Sequence, residues 1–246
     1  RLCPNVWKWQ FKDNPAGPVF CSLAEADGTI VGQYATIPTR FSIEGQETIL
    51  AMACDIMTHP HHRGQGLFTT LAKDLYHQLE TEHNIPIVWG FPNDQVLPGY
   101  TQRLGWRALH PIPMMIMPLR PLAMILRAFP WPGGLFKKPC VANEIFSDLQ
   151  RTKTVSGLTM EPIHHFHEGF DELWRAHLPS NPSKTRQSSP IIQIRDSRYL
   201  QWRYLAVSKF GYHPFAIRHG EKLIGYLVLR MMAHKSQNFG VLVDLF

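Results

Sequence analysis

Apolar residues recur every four positions at Leu67, Leu71, Leu75 and Leu79, while Lys73, Asp74, Gln78 and Glu80 fall off that line. Side chains four apart share a helix face, so the pattern predicts an amphipathic helix over Leu67 to Glu82 with one buried stripe. Upstream, Val19 to Ala24 and Thr29 to Ile37 flank Asp27-Gly28, a pair suited to a tight turn, and predict a β-hairpin. Arg40 to Ile43 and Thr48 to Thr58 continue the extended pattern. Ile85 to Phe91 is apolar without alternation, which predicts a short central strand. Pro92-Asn93-Asp94 breaks it, and Tyr100 to Leu104 reads as a short helix stopped by Gly105.

The second half echoes the first. Trp9, Phe11 and the Ile30-Val31-Gly32 hairpin return 193 residues later as Trp202, Tyr204 and Leu223-Ile224-Gly225. Val241 to Phe246 resembles Ala53 to Thr58, with Asp244 in the place of Asp55. The pattern predicts a tandem duplication of one supersecondary plan. The expected division is 1–118 as a first domain, 119–157 as a proline-rich connector and 158–246 as a partial second domain. Ser180 to Pro190 reads as a polar loop.

Composition narrows the partners. A chain of 246 residues with 44% hydrophobic and 18% charged residues reads as a globular, soluble protein with one large or two small cores. A net charge of +6 favours an anionic partner. No Lys/Arg run exceeds two residues, which argues against nucleic acid. Ile112 to Pro132 is apolar but holds Arg120 and Arg127 and is interrupted by Pro113, Pro118, Pro121 and Pro130, so it does not read as a membrane span. Cys3, Cys21, Cys54 and Cys140 are scattered and form no CxxC pair, and no signal peptide is evident; reduced thiols and a cytoplasmic location are expected.

The chemistry concentrates between the extended segment Glu47 to Thr58 and the amphipathic helix, in His59-Pro60-His61-His62-Arg63-Gly64-Gln65-Gly66-Leu67-Phe68. A basic, glycine-bearing turn that opens a helix collects backbone N–H groups and the helix dipole into one anion cradle. Gly64 and Gly66 tolerate the required dihedrals and let a diphosphate approach the backbone. The turn lacks the lysine and spacing of a Walker loop, and G-x-G-x-x-G fails at Thr69. The three histidines have no carboxylate or cysteine at ligand spacing, so no metal is expected.

Strand, then P-x-x-R-G-Q-G, then helix resembles the acyl-CoA loop of GNAT-type N-acetyltransferases, with Arg63 and Gly66 on the family motif and Phe68 where a small residue is usual. Phe91-Pro92-Asn93 and Tyr100-x4-Gly105-Trp106 extend the resemblance over about residues 5 to 118. It implies a mixed α/β (α+β) fold, a twisted mixed sheet flanked by helices, followed by a partial second domain of the same plan. It also implies that acetyl-CoA, or another acyl-CoA, lies with its diphosphate on the N–H groups of Arg63, Gly64, Gln65, Gly66, Leu67, Phe68 and Thr69. The pantetheine arm would run along Ile56, Met57 and Thr58, with an N–H near Thr58 polarising the thioester. Thr101 stands where the family's tyrosine acid is usual, which leaves Tyr100 as the candidate acid or a core aromatic. Asp55 is the candidate base or amine anchor, or a buried partner of the next strand; Asn93 either lines the cleft or serves the turn.

The implied activity is transfer of acetyl to a primary amine of a small molecule or amino sugar. The alternative is a non-catalytic acyl-CoA sensor or scaffold. The tandem plan would shape the acceptor cleft or mediate a homodimer, and the missing second cradle implies a single cofactor site. Transfer from aminoacyl-tRNA would need a basic face that the sequence does not show.

Overall fold

A computed structural model describes residues 3–112, 153–178, 191–234 and 237–246. The expected connector 119–157 lies largely outside these residues, and the loop 180–190 lies wholly outside them.

The first half is built as α1 (Pro4–Phe11), β1 (Phe20–Ala26), β2 (Thr29–Ile43), β3 (Gln46–Thr58), α2 (Leu67–Thr81) and β4 (Val88–Trp89). The second comprises β5 (Lys153–Val155), β6 (Leu158–Pro162), α3 (Glu168–His177), β7 (Ile192–Gln193), α4 (Ser197–Leu200), β8 (Tyr212–His219), β9 (Lys222–His234) and β10 (Gln237–Leu245). Strands run β1-β2-β3-β4 in one five-stranded sheet, where β7 also pairs with β2, and β10-β9-β8-β6-β5 in the other. All pairings are antiparallel except β3 with β4. The architecture is mixed α/β, with one mixed and one antiparallel sheet, as the resemblance implies.

The leucine stripe does what its spacing requires. Leu71, Ala72, Leu75 and Leu79 of α2 are buried against Tyr34, Ala51, Ile85 and Tyr100. Gly32 sets how closely the helix lies on β2, because a Cβ there would sit 3.1 Å from Leu71 Cδ1. A second core gathers Phe166, Phe170 and Leu173 around Leu200, Tyr204, Tyr226 and Val228.

Trp9 and Phe11 lie in α1 and are buried on it with Val6, and Pro4 starts the helix in its first turn. Two sequence expectations change. The extended run around Pro38 is one strand of 15 residues. The apolar run at 85–91 yields only Val88–Trp89, an edge of the sheet among the described residues. Its pairing ends after Met52↔Trp89, so its apolar residues reflect packing under α2 and against a cleft more than a central position.

In both halves a helical segment carrying Trp9 or Trp202 precedes a hairpin closed by a two-residue turn, with a bulge just before Gly32 or Gly225. The two tryptophans meet. Their rings stack at 4.8 Å, Trp9 Nε1 donates to the Trp202 carbonyl at 2.7 Å, and Trp202 Nε1 donates to the Trp9 carbonyl at 2.9 Å. Such reciprocity is the contact pattern of a local two-fold axis. Arg40 reinforces the junction: it binds Glu47 at 2.6 Å and also pairs with Asp196 from the second half.

Candidate active site

The site begins at a bulge in β3. Gln33 pairs with Met57 and Ala35 with Cys54, so Tyr34 faces two residues, Asp55 and Ile56. Asp55 takes φ 45°, a left-handed conformation that aspartate tolerates better than most residues. The extra residue reverses the alternation of backbone groups. Ala51 donates its N–H toward β4, to the Ile87 carbonyl, whereas His59, beyond the bulge, donates toward β2, to Val31. By alternation, Ile56 and Thr58 aim their N–H groups away from β2. That is the side on which β4 has stopped pairing. Gly90 still lies beside Ala53, but Phe91 is 71% exposed. The two parallel neighbours therefore splay, and the opened edge of β3 faces the gap.

At the end of that edge, a single turn over Pro60–His62 leads into the glycine loop. Gly64 and Gly66 take φ 78° and 80°, and Gly66 is the N-cap of α2. The N–H groups of Gly64, Gln65, Gly66, Leu67 and Phe68 form no hydrogen bond among the described residues, while Thr69 and Thr70 donate to the Gly66 carbonyl. Consecutive unpaired N–H groups at the start of a fifteen-residue helix make one electropositive concavity. Arg63 donates its own N–H to Pro60, so its backbone is less available than that of its neighbours.

Phe68 does not narrow this concavity. Its ring turns inward, 5.8 Å from Tyr34 and 5.3 Å from Tyr100, and rests against Gly99. The large residue fills the floor beneath the loop while its N–H stays on the ligand side. His59 stacks near His61 and His62 at 5.3 and 5.8 Å. Among the described residues no group of three or more His, Cys, Asp or Glu side chains is arranged to hold a metal ion.

The three candidate catalytic residues have different surroundings. Asp55 is exposed, not buried, and its Oδ2 accepts from Gln10 Nε2 of α1 at 2.7 Å. Tyr100 is 5% exposed, packed on Trp106 at 4.4 Å. Burial raises its hydroxyl pKa, a hydrogen bond with Tyr34 opposes that rise, and Cys54 at the bulge lies within electrostatic reach. Tyr34 and Tyr76 share a 2.6 Å hydrogen bond beside it, and both are raised chiefly by burial, Tyr76 to about 12. Asn93 is a turn residue: its Oδ1 accepts from the N–H groups of Gln95 and Val96, and it does not line the cleft described next.

Sequence reasoning missed that cleft. It has a volume of about 340 Å³ and lies where the two halves meet, on the face of the first sheet that carries Ile37 and Met52, opposite the α2 face. Trp9, Trp89, Phe91, Tyr199, Trp202 and Phe210 supply aromatic walls. Gln10, the partner of Asp55, lines it too, which connects the cleft to the bulge. Trp9 and Trp202 form its walls from opposite halves, and only tertiary contact between residues 193 positions apart reveals this.

Burial, and then the nearby Asp55, lift the Cys54 thiol from the usual 9.0 to about 12. Because the folded value is raised, the neutral thiol contributes stability that is present below pH 9 and lost as pH rises toward 12. Iodoacetamide at pH 8 is expected to leave Cys54 unmodified in the folded protein and to label it in urea, as read by peptide mass mapping.

A sheet whose parallel pair splays beside a glycine turn and a helix N-terminus is the architecture of GNAT-type acyltransferases. The sequence model of the Acetyltransferase (GNAT) domain matches residues 4–109. A search of the curated proteins gave no match. Solved structures follow the fold over most of the chain. A probable N-acyltransferase of Enterococcus faecalis V583 is 14% identical with a TM-score of 0.52, covering 87% of this chain and 45% of that one. A GCN5-related N-acetyltransferase of Anabaena variabilis ATCC 29413 is 14% identical with a TM-score of 0.50, covering 92% and 48%. The N-myristoyltransferase of Saccharomyces cerevisiae, solved with bound myristoyl-CoA, is 13% identical with a TM-score of 0.50, covering 98% and 55%. The chain thus spans about half the length of these proteins.

Proposed function

We propose that the chain is an acyl-CoA-dependent N-acyltransferase that moves an acetyl group from acetyl-CoA to the primary amine of a small acceptor. The observation that carries this reading is the run of unpaired N–H groups from Gly64 to Phe68, set at the end of the opened edge of β3. The loop takes the diphosphate, and the edge at Ile56, Met57 and Thr58 takes the pantetheine arm as an added strand. The acceptor enters by the aromatic cleft between the halves, so the second half, read as a repeat of the first plan, completes the substrate site.

The transfer needs few groups. The neutral amine attacks the thioester carbonyl carbon, a C–N bond forms and the C–S bond breaks. An N–H of Ile56 or Thr58 holds the negative charge that develops on the carbonyl oxygen. Asp55, fixed by Gln10, takes the proton that the amine nitrogen loses, and Tyr100 gives a proton to the departing thiolate. Asn93 has no part in these steps.

The test is release of CoA thiol from acetyl-CoA in the presence of a panel of primary amines, with the acetylated amine identified by mass. Turnover is expected, and Tyr100→Phe is expected to lower kcat by at least tenfold with CoA affinity retained. CoA binding without thiol release across the panel would assign the chain to the sensor class.

A further inference from the structure

The polar groups of the cleft are almost all committed to the protein. Trp9 and Trp202 spend their indole N–H groups on each other's carbonyls. Trp89 Nε1 donates to Thr39 Oγ1, and Asn14 bonds the Pro38 carbonyl and the Ala16 N–H. Arg40 is neutralised by Glu47 and Asp196. Arg203 is different. It lies on the faces of Trp9, Tyr204 and Tyr212, 5.7–6.0 Å from each ring centre, and makes no ion pair or hydrogen bond among the described residues. No aspartate or glutamate is among the described residues that line the cleft.

A guanidinium set among three rings is partly desolvated, while its N–H edge, without a protein partner among the described residues, is left for a ligand. That edge offers a planar fork of donors, which matches a carboxylate. A polycationic acceptor would need acidic groups that this cleft does not present, and would be repelled by Arg203. We infer that the cleft selects an amine on an apolar or aromatic body that also bears a carboxylate, with Arg203 as its anchor. This inference rests on the acyltransferase reading for the amine's fate, but the recognition itself is a binding property and is measured separately.

The experiment is calorimetry on the protein saturated with CoA, using two matched pairs that differ by the carboxylate: phenylalanine with phenethylamine, and 6-aminohexanoate with pentylamine, and kanamycin as the polycation. In at least one pair the carboxylate member is expected to bind tenfold or more tightly than its partner and more tightly than kanamycin. Arg203→Gln is expected to erase that ratio, while Arg203→Lys, which keeps the charge, retains part of it; melting temperatures establish that both variants are folded. Equal binding within both pairs, preferential binding of kanamycin, or a ratio unchanged in Arg203→Gln would overturn the inference. Thiol release is assayed in parallel: a carboxylate preference without thiol release leaves the inference standing and removes the transfer reading.

Discussion

Gly66→Asp is expected to weaken CoA binding by about a thousandfold, whereas Gly66→Ala loses about tenfold, as measured by calorimetry or equilibrium dialysis. Two effects separate in this pair. Gly66 sits at φ 80°, where an L side chain costs about 1–2 kcal/mol, and alanine meets only this term because nothing lies within 4 Å of the added Cβ. Aspartate suffers less strain but places a carboxylate at the mouth of the concavity. A unit charge about 5 Å from the nearer diphosphate charge costs about 3 kcal/mol at an effective dielectric near 20, and with about 1 kcal/mol of strain this gives the thousandfold loss. Since about 1.4 kcal/mol is a factor of ten, electrostatics decides the outcome. The aspartate variant retaining CoA within threefold of the parent would remove the diphosphate from this loop.

Asp244→Ala is expected to cost about 3–5 kcal/mol of stability, read as a lowered urea midpoint. The carboxylate is 8% exposed, accepts from Tyr204 and Tyr226 hydroxyls at 2.8 and 3.1 Å, and pairs with Arg195 at 3.1 Å. Removing it strands two buried hydroxyls and a partly buried cation. Both tyrosines are raised, by burial first and then by the Asp244 charge, so they remain donors and cannot compensate. Asp244→Asn, which keeps an acceptor oxygen, should cost less. A loss below about 1 kcal/mol in the alanine variant would show that the network does not hold the second sheet.

These two aspartates show how far sequence similarity carries. Val241 to Phe246 resembles Ala53 to Thr58, and both segments are third strands bearing a bulge. Their carboxylates face opposite environments: Asp55 is exposed at the opened edge, whereas Asp244 is buried under tyrosines. Local pattern specified the strand and not the environment, because burial depends on which other elements close over it. Tyr100 makes the same point. Its position one residue before Thr101 left it either a candidate acid or a core aromatic, and only packing on Phe68, Trp106 and Tyr34 explains its raised hydroxyl.

The sequence by itself determined the elements governed by short-range rules. The leucine period defined α2, Asp27-Gly28 the first hairpin, and Gly64 with Gly66 the turn that opens α2, because helix periodicity and positive φ are properties of a few adjacent residues. Tertiary structure alone decided the rest. The splay of β4 from β3 follows from where pairing stops, and the inward turn of Phe68 follows from the space beneath the loop. The cleft exists because Trp9 and Trp202 bond each other across 193 residues and leave Arg203 on their rim. No local rule encodes a contact between two surfaces that meet only after both halves have folded.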